Sequence, residues 1–117
     1  MPVRQWKLRI LHIIESIERI QQFVEGMSLD QLRGDTKTML AIVSSFVVIG
    51  EATVHIPAEV KRAHPRIPWS LMKRMRNVLI HEYDRIDLEV VWDTINDDFP
   101  TVLPELRAIL SESPDDR

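Results

Sequence analysis

Thirteen consecutive residues, Thr38 to Gly50, carry no charge and contain no proline. A run of that length without a turn signal exceeds a strand and suits a helix buried on most sides. Met39, Leu40, Ile42, Val43, Phe46, Val47, Val48 and Ile49 make it apolar nearly all round, which puts a helix over about 36–55 at the centre of a bundle. The run is shorter than the roughly 20 apolar residues of a bilayer span. It is therefore expected as the core of a soluble, cytoplasmic protein with no membrane partner. Gly50 costs this helix about 1 kcal/mol relative to alanine, which points to close backbone approach by a neighbour.

The flanking sequence supplies the neighbours. Leu8, Leu11, Ile14, Ile17, Ile20 and Val24 recur every three or four residues and predict an amphipathic helix over about 4–25, ended by Gly26. Ser28 and Gln31 have capping-box spacing, so a short helical turn follows, closed by Gly34, and Asp35 caps the central helix. Pro57, Pro65 and Pro68 mark a bend that leaves room for a turn or two over 58–63. Further helices are expected over about 69–83, over 88–96 capped by Asp87, and over 100–110 capped by Asp98. Pro104 requires the last of these to start late or bend. The fold class is all-α, an up-and-down bundle of four to five helices, with residues 1–117 forming one domain. The 3 glycines and 0 cysteines fit that composition and exclude a disulfide scaffold, a zinc ribbon or a thiol nucleophile. His12, His55 and His64 lack carboxylates at ligand spacing, so no metal and no cofactor are expected. His12, Glu15 and Glu18 interrupt the first apolar stretch, and no signal peptide is read there.

Net charge is −3, yet from Val60 to His81 there are six bases (Lys61, Arg62, Arg66, Lys73, Arg74, Arg76) and no acid. Such a segment inside an acidic chain suits either a phosphate-binding face or a solvated helix surface. At its end stands Arg76-Asn77-Val78-Leu79-Ile80-His81-Glu82-Tyr83. On an ideal helix Asn77 and His81 share one face and Arg76 and Tyr83 another, about 130° apart. On residue type alone, His81 suits proton transfer or a helix end favoured by the macrodipole, and Tyr83 suits a reactive phenol or a rim aromatic. Glu51, in the most apolar helix, is read as pairing with a buried cation or facing a cleft. Trp69 and Trp92 are read as core or interface anchors.

These segments, with Ile49-Gly50-Glu51-Ala52, Ile67-Pro68-Trp69, Ile86-Asp87 and Val91-Trp92, occur in an order and spacing that resemble the HepT-like branch of the HEPN superfamily. That family comprises small helical ribonuclease toxins partnered by a minimal nucleotidyltransferase. The resemblance implies an endoribonuclease cutting RNA without metal. It implies catalytic roles for Arg76, His81 and Asn77, in a cleft where two copies of the motif helix meet in a homodimer. It further implies that the antitoxin, a nucleotidyltransferase, adenylylates Tyr83 with AMP. Lys73, Arg74 and Arg66 are the expected RNA-binding residues. A non-catalytic helical adaptor, or a substrate-binding subunit of a nucleotidyltransferase, is the competing reading.

The chain departs from the family pattern in places. Ser44 or Ser45 stands where the central helix tends to carry an arginine, Val47 replaces a frequent acid, and Arg74 replaces a glycine. The first two changes remove polar contacts from the central helix, and the third adds charge near the motif.

Overall fold

A computed structural model describes residues 4–112, with the side chains of Arg4, Tyr83 and Glu112 outside the described set. The elements run α1 (Arg4–Phe23), α2 (Leu29–Arg33), α3 (Thr36–Val54), α4 (Ala58–Ala63), α5 (Trp69–His81), a 3-10 turn (Tyr83–Arg85), α6 (Leu88–Asp93), a π-helical segment (Thr94–Asp98) and α7 (Phe99–Glu112). No strand occurs among the described residues, so the expected all-α class holds.

The local signals act where the sequence places them. Gly26 adopts φ 78°, a left-handed conformation that side chains disfavour, and ends the path from α1. Ser28 Oγ accepts the Gln31 backbone N–H at 3.1 Å while Gln31 Oε1 accepts the Ser28 N–H at 2.8 Å, closing the capping box. Asp35 Oδ1 accepts the Thr38 N–H at 2.9 Å and Oδ2 accepts its hydroxyl at 2.7 Å, capping α3. These bonds to the charged carboxylate hold the Asp35 pKa below the usual range, the backbone bond contributing most.

Helix α3 packs chiefly on α5 and α1, and α1 also meets α7. By length and composition alone, the 19 residues Thr36–Val54 could cross a membrane. In this fold their Ile42, Phe46 and Ile49 are fully covered by the flanking helices. Ile13, Ile17 and Ile20 of α1, Met72 and Leu79 of α5, and Phe99, Leu106 and Ile109 of α7 complete one core. The Phe46 and Phe99 rings lie 5.6 Å apart in a tilted arrangement across the centre. On the outer surface of the α1 and α7 pair, Arg107 Nη2 bonds Glu18 Oε2 at 2.5 Å.

Two helices expected as separate are joined. Asp98 does not cap a new helix, because the chain stays helical from α6 through Thr94–Asp98 into α7. Pro100 has no N–H to donate and its ring would crowd a carbonyl one turn back, so the wider π turn accommodates what a straight α-helix would not. The bundle thus consists of three long helices and one composite rod, within the four to five expected. Pro104 sits inside α7, which begins at Phe99, five residues earlier.

Candidate functional site

Helix α5 presents the motif. Trp69, Met72, Met75 and Leu79 form its buried stripe, which fixes its rotation against α3. The Trp69 indole N–H donates to the His64 carbonyl at 3.1 Å and anchors the start of the helix, where Pro68 provides no side-chain cap. Trp92 is half-buried against the core.

This rotation turns Arg76 toward α3, at the place where α3 carries Gly50. A Cβ on Gly50 would stand 2.7 Å from Arg76 Cδ and 2.8 Å from Cγ, and closer still to Cβ. Only a hydrogen fits there, and what approaches the glycine is the side chain of the motif arginine rather than the neighbouring backbone that an isolated helical glycine led one to expect. One residue on, Glu51 Oε1 receives Arg76 Nη2 at 2.5 Å. Of the two readings of Glu51, pairing is therefore what the structure has. The pair is not deeply buried, since the Glu51 side chain is 47% exposed.

The remaining guanidinium donors divide between two environments. Nη1 donates to Asn77 Oδ1 at 3.3 Å, so Asn77 braces the arginine from the same helix. Nε is buried without an acceptor among the described residues. An arginine held by a carboxylate and an amide, its stem against backbone, has lost most of its rotamer freedom before any ligand arrives.

His81 is the exposed last residue of α5, beside the C-terminal carbonyls whose partial negative charge favours an imidazolium. No hydrogen bond joins it to Arg76 or Asn77 among the described residues. The chain then turns through Tyr83–Arg85; the Tyr83 side chain lies outside the described residues. Lys73 and Arg74 are exposed on α5, and Arg66 is exposed in the preceding loop. Lys61, at the end of α4, has its pKa lowered first by burial and then by the charge of Lys73, which brings part of the basic segment together in space. Of the departures on α3, Ser44 is exposed two turns before Glu51, whereas Ser45 is buried and its hydroxyl donates to the Ala41 carbonyl at 3.1 Å. Val47 is half-buried. No group of three or more His, Cys, Asp or Glu side chains gathers at metal-binding distance among the described residues.

Thus Gly50, Glu51, Arg76 and Asn77 form one connected unit, with His81 at its open end. Residues 13–109 match the family model described as ribonuclease HepT-like. The chain belongs to that family. It is 41% identical over 90 residues to the probable ribonuclease HepT of Thermococcus cleftensis, covering 77% of this chain and 82% of the relative. A Methanocaldococcus jannaschii protein named as an RNase is 32% identical over 112 residues, 96% of this chain and 93% of its own. Another so named, from Caldanaerobacter subterraneus, is 32% identical over 101 residues, 86% of this chain and 90% of its own. No solved structure matches the chain. Family membership bears out the resemblance drawn from the motifs and the ribonuclease class expected with it.

Sequence reasoning missed the identity of the Glu51 partner. The signal was present as Gly50-Glu51, a glycine that admits a neighbour followed by a carboxylate that binds it, but spacing alone does not name a residue 25 positions away.

Proposed function

We propose that this member of the ribonuclease HepT-like family cuts RNA without a metal ion, as the toxin of a cytoplasmic toxin-antitoxin pair. The observation that carries the reading is the Arg76 and His81 motif on α5, its arginine fixed by Glu51 and Asn77 and its histidine open to solvent. Cleavage of a phosphodiester by its own 2′-OH forms a 2′-O–P bond and breaks the P–O5′ bond. One proton must leave the 2′ oxygen and one must reach the 5′ oxygen, giving a 2′,3′-cyclic phosphate and a 5′-OH. Histidine, with an ordinary pKa of about 6.5, can exchange protons near neutral pH. The guanidinium of Arg76 stabilises the extra negative charge on the pentacovalent phosphorus. Asn77 orients Arg76.

One chain supplies one histidine to this reaction, and the second is drawn from a homodimer. Val48, one turn before Glu51, and Ile80, one turn after Arg76, are large apolar residues 43% and 44% exposed, an apolar rim beside the motif that a second copy would cover. Control by the antitoxin would run through Tyr83, whose phenolic oxygen attacks the α-phosphorus of ATP held by the nucleotidyltransferase, releasing pyrophosphate and leaving AMP near the cleft.

The test is His81→Ala. The variant should retain the wild-type melting temperature and lose cleavage of single-stranded RNA in EDTA together with growth arrest. Cleavage at the wild-type rate would remove His81 from the chemistry. Binding of a nucleotidyltransferase with no RNA turnover by the wild-type chain would favour the adaptor reading.

A further inference from the structure

Helix α5 has a second functional side. Between α5, the 3-10 turn and the start of α6 lies a cavity of about 230 Å³ that holds neither Glu51 nor Arg76 among its lining residues. Its walls are apolar, with Val78, Ile86 and Val90 among them, and three charged side chains complete it: Arg74, Arg85 and Asp87. Both arginines are exposed, and neither has an ion-pair partner among the described residues. Asp87 caps α6 with a single oxygen, Oδ1, which accepts the Glu89 N–H at 3.0 Å and the Val90 N–H at 3.4 Å. Its Oδ2 has no partner among the described residues and is available as an acceptor.

The cavity is in register with the motif. Arg74, Asn77 and His81 stand at positions i, i+3 and i+7 of one helix, so they form a single stripe and the cavity opens beside the edge that ends at His81. An apolar slot with guanidinium groups on its rim and one open carboxylate oxygen complements a flat, weakly polar ring that carries an N–H donor and is joined to phosphate. Unstacked bases in single-stranded RNA are bound in this way, stacked on side chains or guanidinium planes and read by hydrogen bonds at their edges. A carboxylate accepts from an exocyclic amine, and it repels a carbonyl at the same edge.

We infer that this cavity is a base-binding subsite: it takes an unstacked, amino-bearing nucleobase next to the cut phosphate, with Asp87 Oδ2 accepting from the amine and Arg74 and Arg85 holding the adjoining phosphates. The inference rests on the reading of the protein as an RNA-cleaving enzyme, and it adds a base preference to that reading.

Binding to the His81→Ala chain separates the subsite from the chemistry. Short single-stranded oligo-A and oligo-C should bind roughly tenfold more tightly than oligo-U of equal length, by fluorescence anisotropy, a size typical of one hydrogen bond to a charged group. Val90→Trp, which places an indole in the cavity from an exposed position, should erase that preference, and Arg85→Glu should weaken binding of all three oligomers alike, both variants melting with the parent. Equal binding of all three oligomers, absence of binding, or a preference unchanged by Val90→Trp would overturn the subsite. A change of oligomeric state in Val90→Trp without RNA would overturn it too, by making the cavity a protein interface. Wild-type protein that shows the base preference and cuts nothing would leave the subsite standing and remove the ribonuclease reading alone.

Discussion

Gly50 of α3 and Arg76 of α5 are in contact along the length of the arginine stem, at a separation that leaves no room for a methyl group. This close contact between the two helices is therefore also where the motif arginine is held. Packing and chemistry at this crossing depend on the same atoms.

Gly50→Ala should consequently destabilise the fold despite alanine's better helix propensity. Forcing a methyl into a filled site costs about 1–3 kcal/mol, against the roughly 1 kcal/mol alanine gains in a helix. Denaturant unfolding should give a lower midpoint, and cleavage should fall as well because Arg76 has to move. A midpoint above wild type would mean that the helices separate without strain.

Glu51→Ala tests the ion pair without disturbing the crossing. Exposed pairs contribute up to about 1 kcal/mol, so thermal stability should change little. Cleavage should fall by about tenfold or more, equivalent to about 1.4 kcal/mol in the transition state, because the guanidinium loses its orienting partner. Equal activity in both proteins would restrict Glu51 to surface charge.

Asp35→Ala removes the cap of α3 and should lower the melting temperature at neutral pH. The Asp35 pKa is depressed from 3.8 in the folded chain. Its stabilisation is therefore fully present above the unfolded pKa and is lost as pH falls through the folded one. The difference in melting temperature between wild type and variant should shrink in acid below about pH 4. A difference independent of pH would assign the effect to the hydroxyl and backbone geometry of Thr38.

Lys73→Gln should raise the pKa of Lys61, since the charge of Lys73 is one of the two causes that lower it, after burial. NMR titration of the Lys61 side chain reads this directly. In RNA binding the same variant should reduce the salt slope by about one for each phosphate that Lys73 neutralises. An unmoved Lys61 titration would place the two lysines too far apart to share an anion.

Legibility in the sequence followed the range of the interactions. The caps at Ser28 and Asp35 and the breaks at Gly26 and Pro57 depend on residues within a few positions, and spacing reveals them. The motif from Arg76 to His81 is likewise local, and its match to a family drew on pieces spread over the chain. Partnership between Glu51 and Arg76 depends on the rotation of two helices set by Phe46, Met72 and Leu79, which no local pattern encodes. The cavity beside Asp87 was hidden for the same reason, since its walls come from two helices and a turn. The junction after α6 failed differently: Asp98 has the residue type of a cap, but the buried side chains of Ile95 and Phe99 on either side keep the chain helical.

The π-helical segment at Thr94–Asp98 acts as a phase adjuster for the rod that contains it. Val91, Ile95 and Phe99 are all buried and spaced by four, a step that overshoots an ordinary turn of about 3.6 residues and would carry the third side chain well round the helix. A wider turn absorbs the surplus and keeps all three on one line, after which Val102, Leu103, Leu106 and Ile109 resume normal α spacing. The rod therefore counts residues. Losing one position between Thr94 and Asp98 would only return the wide turn to an ordinary one, whereas a further residue inserted there would rotate the whole of α7 by about 100°, turning Phe99 away from Phe46 and exposing the apolar stripe of α7, although no buried residue had been replaced.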